Sequence, residues 1–87
     1  MLVDDEKFNL DALEIIIEYH INLNPKKICK TALDGNQALD AIIQNVKSND
    51  NKKCDFKLIL MDVNMPFMNG LEATSKIRSF LKQMKLE

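Results

Sequence analysis

The sequence predicts an α/β fold with a parallel sheet and elements in the order βαβαβα. Three features predict it: apolar runs that end in acids near residues 5 and 62, helical spacing of apolar residues between such runs, and turn residues at the junctions. Alternation of this kind implies right-handed crossovers, with ligands bound beyond the carboxyl ends of the strands. The 87 residues fit one domain, below the usual size of roughly 100 to 150.

The first strand and helix are predicted at the N-terminus. Leu2-Val3 is followed at once by Asp4-Asp5, which is typical of the end of a buried strand. A helix is expected over residues 7–21, ending before Pro25, which removes a backbone donor. Its apolar stripe, which we expect to be buried, consists of Phe8, Ala12, Ile15, Ile16 and Tyr19.

The second βα unit follows. Residues 28–33 suit a strand, and Asp34-Gly35 predicts a turn in which Gly35 takes a positive φ. The next helix carries apolar residues at i, i+3, i+4 and i+7, namely Leu39, Ile42, Ile43 and Val46. Residues 48–55 are polar and predict a mobile surface loop.

The third unit begins with the apolar run FKLILM at residues 56–61. Such a run is typical of a strand covered on both faces, so we expect it near the centre of the sheet. Asp62 ends it, Pro66 and Gly70 lie in the following loop, and a helix begins near Leu71. Its predicted buried stripe is Ala73, Ile77, Phe80, Leu81 and Met84.

Composition excludes several classes of protein. Twelve Lys and Arg against 13 Asp and Glu leave no basic field, so no nucleic-acid partner is expected. Cys29 and Cys54 lack CxxC spacing and are expected to be reduced thiols. No apolar run approaches the ~20 residues of a membrane span, so we expect no direct membrane contact and a cytoplasmic location.

Three carboxylates carry the predicted chemistry. Asp4, Asp5 and Asp62 each follow an apolar strand, so a parallel sheet brings them to one edge, where they repel one another unless a cation joins them. Oxygen ligands of this kind suit Mg²⁺. Asp62 stands alone before a loop and is the candidate nucleophile toward phosphorus, while Asn64 could offer its backbone carbonyl to the ion.

The segments VDDEKFNL and MDVNMPFMNG, with Pro66, Gly70 and the following LEATSKIR, resemble receiver domains of response regulators. The resemblance implies a three-layer flavodoxin-like fold with strand order 2-1-3. It also implies that Asp62 takes a phosphoryl group from a phosphohistidine, that Asp5 binds Mg²⁺ directly and Asp4 through water, and that Asn64 supplies a main-chain oxygen. The implied partner is a histidine kinase or a histidine phosphotransfer protein. The residues of both segments are most similar to those of receivers attached to sensor kinases.

The sequence departs from that family's pattern at its C-terminal end. Receivers have five βα units, with a Thr or Ser after the fourth strand and a Lys after the fifth, so residues 1–87 are expected to be the N-terminal portion of a receiver. A 2-1-3 order leaves the third strand at an edge and one sheet face covered by the first helix alone, which predicts marginal stability. Asn69 stands where many relatives have Asp, a change expected to be tolerated.

Other interpretations stay open. A receiver without the Thr/Ser and Lys could serve only as a binding module. A phosphohydrolase of the haloacid-dehalogenase type also uses a strand-end Asp, but it has a second Asp where Asn64 stands. Asp4 or Asp5 could cap the first helix. His20 is expected to be an ordinary surface residue, and the methionines near Asp62 are expected to serve packing.

Overall fold

The computed structural model describes residues 1–21 and 29–86 and contains a three-stranded parallel sheet in the order β2-β1-β3. The strands are β1 (Leu2–Val3), β2 (Thr31–Ala32) and β3 (Leu60–Met61). The helices are α1 (Lys7–Ile16), which a π-helical segment (Ile17–Ile21) continues, α2 (Gly35–Ser48) and α3 (Gly70–Gln83). The predicted βαβαβα order and the partial flavodoxin-like fold with strand order 2-1-3 are confirmed.

The strands are shorter than the apolar runs that predicted them. β1 lies between the other two and pairs Leu2 with Thr31 and with Leu60. Regular pairing of β3 is limited because β1 offers few residues, although backbone bonds from Leu60 N–H to Met1 C=O and from Asp62 N–H to Val3 C=O continue the ladder at both ends. The beginning of the predicted second strand, Ile28, lies outside the described residues.

The expectation that residues 56–61 lie near the sheet's centre is wrong for this sheet. β3 is an edge strand, and Leu58 just before it is 66% exposed. Its continuous apolar character nevertheless fits a strand that needs cover on both faces. Among the described residues no strand pairs with the outer side of β3, so this apolar edge of the sheet is open there, as the 2-1-3 order predicted.

The predicted buried stripe of α1 is also wrong. Phe8 and Tyr19 are each 78% exposed, and Ile15 and Ile16 are exposed as well. Leu10 is the buried residue of this helix. Apolar residues occur on more than one side of α1, so periodicity alone did not determine which side would pack against β1.

Helices α2 and α3 pack against each other. Of their predicted stripes, Ile42, Val46, Ala73 and Ile77 are buried and the other members are half-buried. The core combines their inward residues with the strands and the loop methionines: Met1, Val3, Ala32, Ala38, Ile42, Met65 and Ile77. Gly35 is the first residue of α2 and does not have a positive φ, contrary to the prediction. It is needed for close packing, since an added Cβ would lie 2.9 Å from Ala73 Cβ and 3.0 Å from the Met68 carbonyl oxygen.

The segment after α2 is more ordered than its polar composition indicated. The Asp55 carboxylate accepts hydrogen bonds from the side-chain amides of Asn45 (3.0 Å) and Asn49 (3.1 Å), and the Asp55 N–H donates to Asn45 Oδ1 at 2.7 Å. The pKa of Asp55 lies below its usual value of 3.8 because of these hydrogen bonds, of which the bond from Asn49 has the larger effect and the bond from Asn45 the smaller. Asp50 and Asn51 turn the chain with positive φ, which these residue types tolerate.

Candidate functional site

Three carboxylates meet at the carboxyl ends of β1 and β3. One oxygen from each of Asp4, Asp5 and Asp62 lies within 4.8 Å of the others. They converge because β1 and β3 are adjacent and parallel, with Val3 paired to Met61 just before the acids. The predicted clustering of these residues is thus present in the structure.

Asp4 is the buried member of the cluster, at 9% exposure. Its Oδ1 accepts a hydrogen bond from the Glu6 N–H (2.9 Å), and its Oδ2 accepts one from the Asn9 side-chain amide (3.2 Å). Both oxygens are therefore engaged by donors at the start of α1, which lowers the cost of burying the charge. The N-cap residue of α1 is Glu6, whose side chain makes no capping bond, so neither Asp4 nor Asp5 is the N-cap that the alternative interpretation expected. Sequence reasoning missed Asn9, although its position in the first turn of α1 was a usable signal.

Asp5 and Asp62 are more accessible, since Asp5 is exposed and Asp62 is half-buried. The Asp62 backbone is fixed by its N–H bond to the Val3 carbonyl oxygen at 2.9 Å. Its Oδ1 accepts the Asn64 N–H at 3.3 Å, which holds the carboxylate over the start of the following loop. Asn64 thus lies beside Asp62, and its carbonyl oxygen as a metal ligand stays a prediction.

Gly70 closes the loop that follows Asp62. Its N–H donates to the Val63 carbonyl oxygen at 2.9 Å, and an added Cβ would lie 2.1 Å from the Asp62 carbonyl oxygen. Only glycine permits this approach of α3 to the phosphoacceptor candidate. The Asn69 side chain caps α3 by accepting the Glu72 N–H at 2.8 Å, so Asn performs the turn role expected for this position.

The cluster offers only oxygen atoms as metal ligands. One carboxylate, that of Asp4, is buried and already accepts two hydrogen bonds, and the other two are accessible. This set fits a hard divalent cation such as Mg²⁺, which binds through one or two carboxylates and keeps several waters. Three negative charges so close together also favour a cation between them. The residues present therefore match the predicted metal chemistry.

The remaining residues singled out in the sequence lie elsewhere or serve packing. His20 is exposed on the π-helical segment, and Cys29 and Cys54 are half-buried free thiols. Met65 and Met68 are buried, in agreement with the prediction that they serve packing. In the described part of the chain, no helix has the length and apolar character needed to cross a bilayer.

Comparison with known proteins shows the family of this chain. The family model described as the response regulator receiver domain matches residues 1–86. The chain belongs to this family. The receiver is 35% identical over 78 residues to response regulator SSK1 of Verticillium dahliae, covering 90% of this chain. It is 32% identical over 80 residues, 92% of the chain, to a protein-glutamate methylesterase/protein-glutamine glutaminase of Methanococcus maripaludis and to the chemotaxis protein CheY of Halobacterium salinarum.

The receiver corresponds to only part of each relative. It spans 55% of the Halobacterium protein, 19% of the methylesterase and 8% of SSK1. No solved structure gives a significant match. The match to the family model establishes membership of the receiver family. Because the chain covers only part of these relatives, the activity and partners of the whole protein are matters for proposal.

Proposed function

We propose that this receiver accepts a phosphoryl group on Asp62 from a phosphohistidine, with Mg²⁺ at the carboxylate cluster. The observation that supports this most strongly is the convergence of Asp4, Asp5 and Asp62 within 4.8 Å at the carboxyl edge of the sheet. Asp5, Asp62 and the Asn64 carbonyl oxygen would hold the ion directly, and Asp4 would act through water. The donor is a histidine kinase or a histidine phosphotransfer protein, in a cytoplasmic phosphorelay.

The transfer needs little covalent chemistry from the protein. An oxygen of the Asp62 carboxylate attacks phosphorus, the P–O bond forms as the P–N bond breaks, and the electron pair of that bond stays on the imidazole. Bound Mg²⁺ supplies neutralisation of charge on the transferring oxygens. The chain's own part is to fix Asp62 through its bonds to Val3 and Asn64 so that the nucleophile is positioned before the donor arrives.

Acetyl phosphate with Mg²⁺ tests the proposal without any donor protein. We expect a mass gain of one phosphoryl group that is absent in Asp62→Asn and in reactions with EDTA. Asp40→Asn is the matched control, because Asp40 is exposed on α2 and the same charge is removed away from the cluster. Labelling that persists in Asp62→Asn would contradict the assignment of the phosphoacceptor.

The same assay separates the two alternatives. A binding module gives no mass gain and no turnover. A haloacid-dehalogenase-type hydrolase turns over phosphomonoesters, but such enzymes use a second Asp two residues after the nucleophile, where this chain has Asn64. We also propose that residues 1–87 form the N-terminal portion of a receiver attached to a sensor kinase, which sequencing of the neighbouring coding region would test.

A further inference from the structure

The side chain of Asn9, in the first turn of α1, reaches back to the carboxylate cluster. Its amide nitrogen donates to Asp4 Oδ2 at 3.2 Å, while the Glu6 N–H donates to Asp4 Oδ1 at 2.9 Å. A carboxylate has about four acceptor sites, so these bonds leave a free lone pair on each oxygen. Rotation of a carboxylate about its last bond is otherwise soft, and donors on both oxygens oppose it. The two bonds together therefore fix how Asp4 faces Asp5 and Asp62.

The backbone of the first helical turn holds Asn9 in place for this bond. Its N–H donates to the Glu6 carbonyl oxygen at 3.0 Å, and the Leu10 N–H donates to the same oxygen at 3.3 Å. Leu10 is 3% exposed and anchors this turn in the protein interior. Asn9 is itself exposed, so packing does not explain an Asn at this position. Its bond to the buried Asp4 does explain it.

The absence of charge on the Asn9 side chain matters as much as its hydrogen bond. The third position of a helix often carries Glu or Gln, whose side chain reaches back to the N-cap N–H. Here the N–H of the N-cap residue Glu6 is already bonded to Asp4, and a Glu at position 9 would add a fourth negative charge beside the cluster. Lys or Arg would donate to Asp4 but would also offset its charge. An amide donates without charge, so it orients Asp4 and leaves the negative charge of the cluster intact.

We propose that Asn9 is a positioning residue of the cation site, which holds the Asp4 carboxylate towards the cluster through a neutral hydrogen bond and so raises the affinity for Mg²⁺. This inference rests on the proposed function and deepens it. Because Asp4 is already oriented, binding of the ion does not have to restrict its rotation. Groups that orient a metal-site residue without touching the metal typically contribute about 10- to 100-fold to affinity.

Titration with Mg²⁺ followed by NMR tests this role in the binding step alone. Asn9→Leu keeps the size and charge of the side chain and removes the donor, so the Kd for Mg²⁺ should rise by about 10- to 100-fold, whereas Asn9→Gln keeps a neutral donor and should stay within about threefold. Asn36→Leu is the matched control, since Asn36 is exposed in the first turn of α2, and its Kd should change less than about twofold. Each variant is titrated at a temperature where circular dichroism shows it folded, and Asn9→Ala replaces Asn9→Leu if the latter does not fold.

Asn9→Lys separates the orientation of Asp4 from its charge. The ammonium group can donate to Asp4, but it brings a positive charge to the cluster. We expect Tm without Mg²⁺ to rise, because repulsion among the carboxylates is relieved, and the affinity for Mg²⁺ to fall by about tenfold or more. Binding of Mg²⁺ by Asn9→Lys as tight as that of the unsubstituted protein would contradict the requirement for a neutral donor.

Labelling by acetyl phosphate distinguishes positioning from a general structural effect. In Asn9→Leu the Mg²⁺ concentration for half-maximal labelling should rise in step with Kd, while the maximum rate at saturating Mg²⁺ changes less than about threefold. Equal Mg²⁺ affinity of Asn9→Leu and Asn36→Leu, or an equal loss in Asn9→Gln and Asn9→Leu, would overturn the role of Asn9 and leave the proposed function standing. An unsubstituted protein that binds Mg²⁺ but is not labelled would contradict the phosphoacceptor function instead. One that binds no Mg²⁺ would overturn both the shared cation site and this inference.

Discussion

Replacing Asp5 by Asn should stabilise the metal-free receiver and remove most of its response to Mg²⁺. The cluster places Asp5 within 4.8 Å of both Asp4 and Asp62. At that distance two unit charges repel by about 1 kcal/mol in water and by roughly 3 to 4 kcal/mol at an effective dielectric constant of ~20. Because Asp5 is exposed, the lower value applies to each pair. Removing both pairs should raise the free energy of unfolding by about 2 kcal/mol, or Tm by roughly 8 to 16 °C for a domain of this size.

Thermal unfolding followed by circular dichroism at low ionic strength measures this effect. Mg²⁺ at a hundredfold excess over its Kd should stabilise the unsubstituted protein by about 2.7 kcal/mol and should stabilise Asp5→Asn much less. Asp40→Asn again serves as the control, with a change within about 0.5 kcal/mol in either condition. If Asp5→Asn and Asp40→Asn behave alike without metal, or respond equally to Mg²⁺, the carboxylates do not form a shared cation site.

Three further predictions concern the residues that support the site and the fold. Gly70→Ala forces a methyl group against the Asp62 carbonyl oxygen, so we expect a loss of about 1 to 3 kcal/mol in stability by urea unfolding and slower labelling by acetyl phosphate. The hydrogen bonds from Asn49 and then Asn45 lower the pKa of Asp55, so they stabilise the fold fully above pH 3.8 and are lost as pH falls through the folded-state pKa. The protection of the Asp55 amide, measured by NMR relative to its intrinsic exchange rate, should then fall, and this fall should be absent in Asp55→Asn. Asn69→Asp keeps the cap of α3 and adds a charge at the helix N-terminus, so Tm should rise by an amount corresponding to about 0.3 to 1 kcal/mol, and a fall would contradict the capping geometry.

The sequence was sufficient for the order of elements and for the carboxylate cluster. Both follow from local signals, since apolar runs followed by acids mark strand ends, and parallel strands carry those acids to one edge. Asp5 and Asp62 are 57 positions apart in the sequence, yet the alternation of strands and helices was enough to predict that they meet.

What could not be predicted depended on contacts between elements. The buried side of α1 was misassigned because apolar residues occur around much of this helix, and only packing against β1 selects Leu10 over Phe8. Gly35 was assigned a positive φ, but its close approach to Ala73 on a distant helix is what requires glycine. Both outcomes depend on tertiary contacts between distant parts of the sequence, so a local sequence pattern could not predict them.

A paramagnetic ion tests the central claim, that the acids at the ends of β1 and β3 share one cation. With Mn²⁺ in place of Mg²⁺, NMR titration should broaden the amide signals of Asp5, Asp62 and Asn64 first, because these residues surround the proposed site. The signals of Lys53 and Asp55, which precede β3 at the other end of the strand, should persist at the same Mn²⁺ concentration. Broadening centred away from Asp5 and Asp62, or no broadening that Mg²⁺ reverses, would contradict the account.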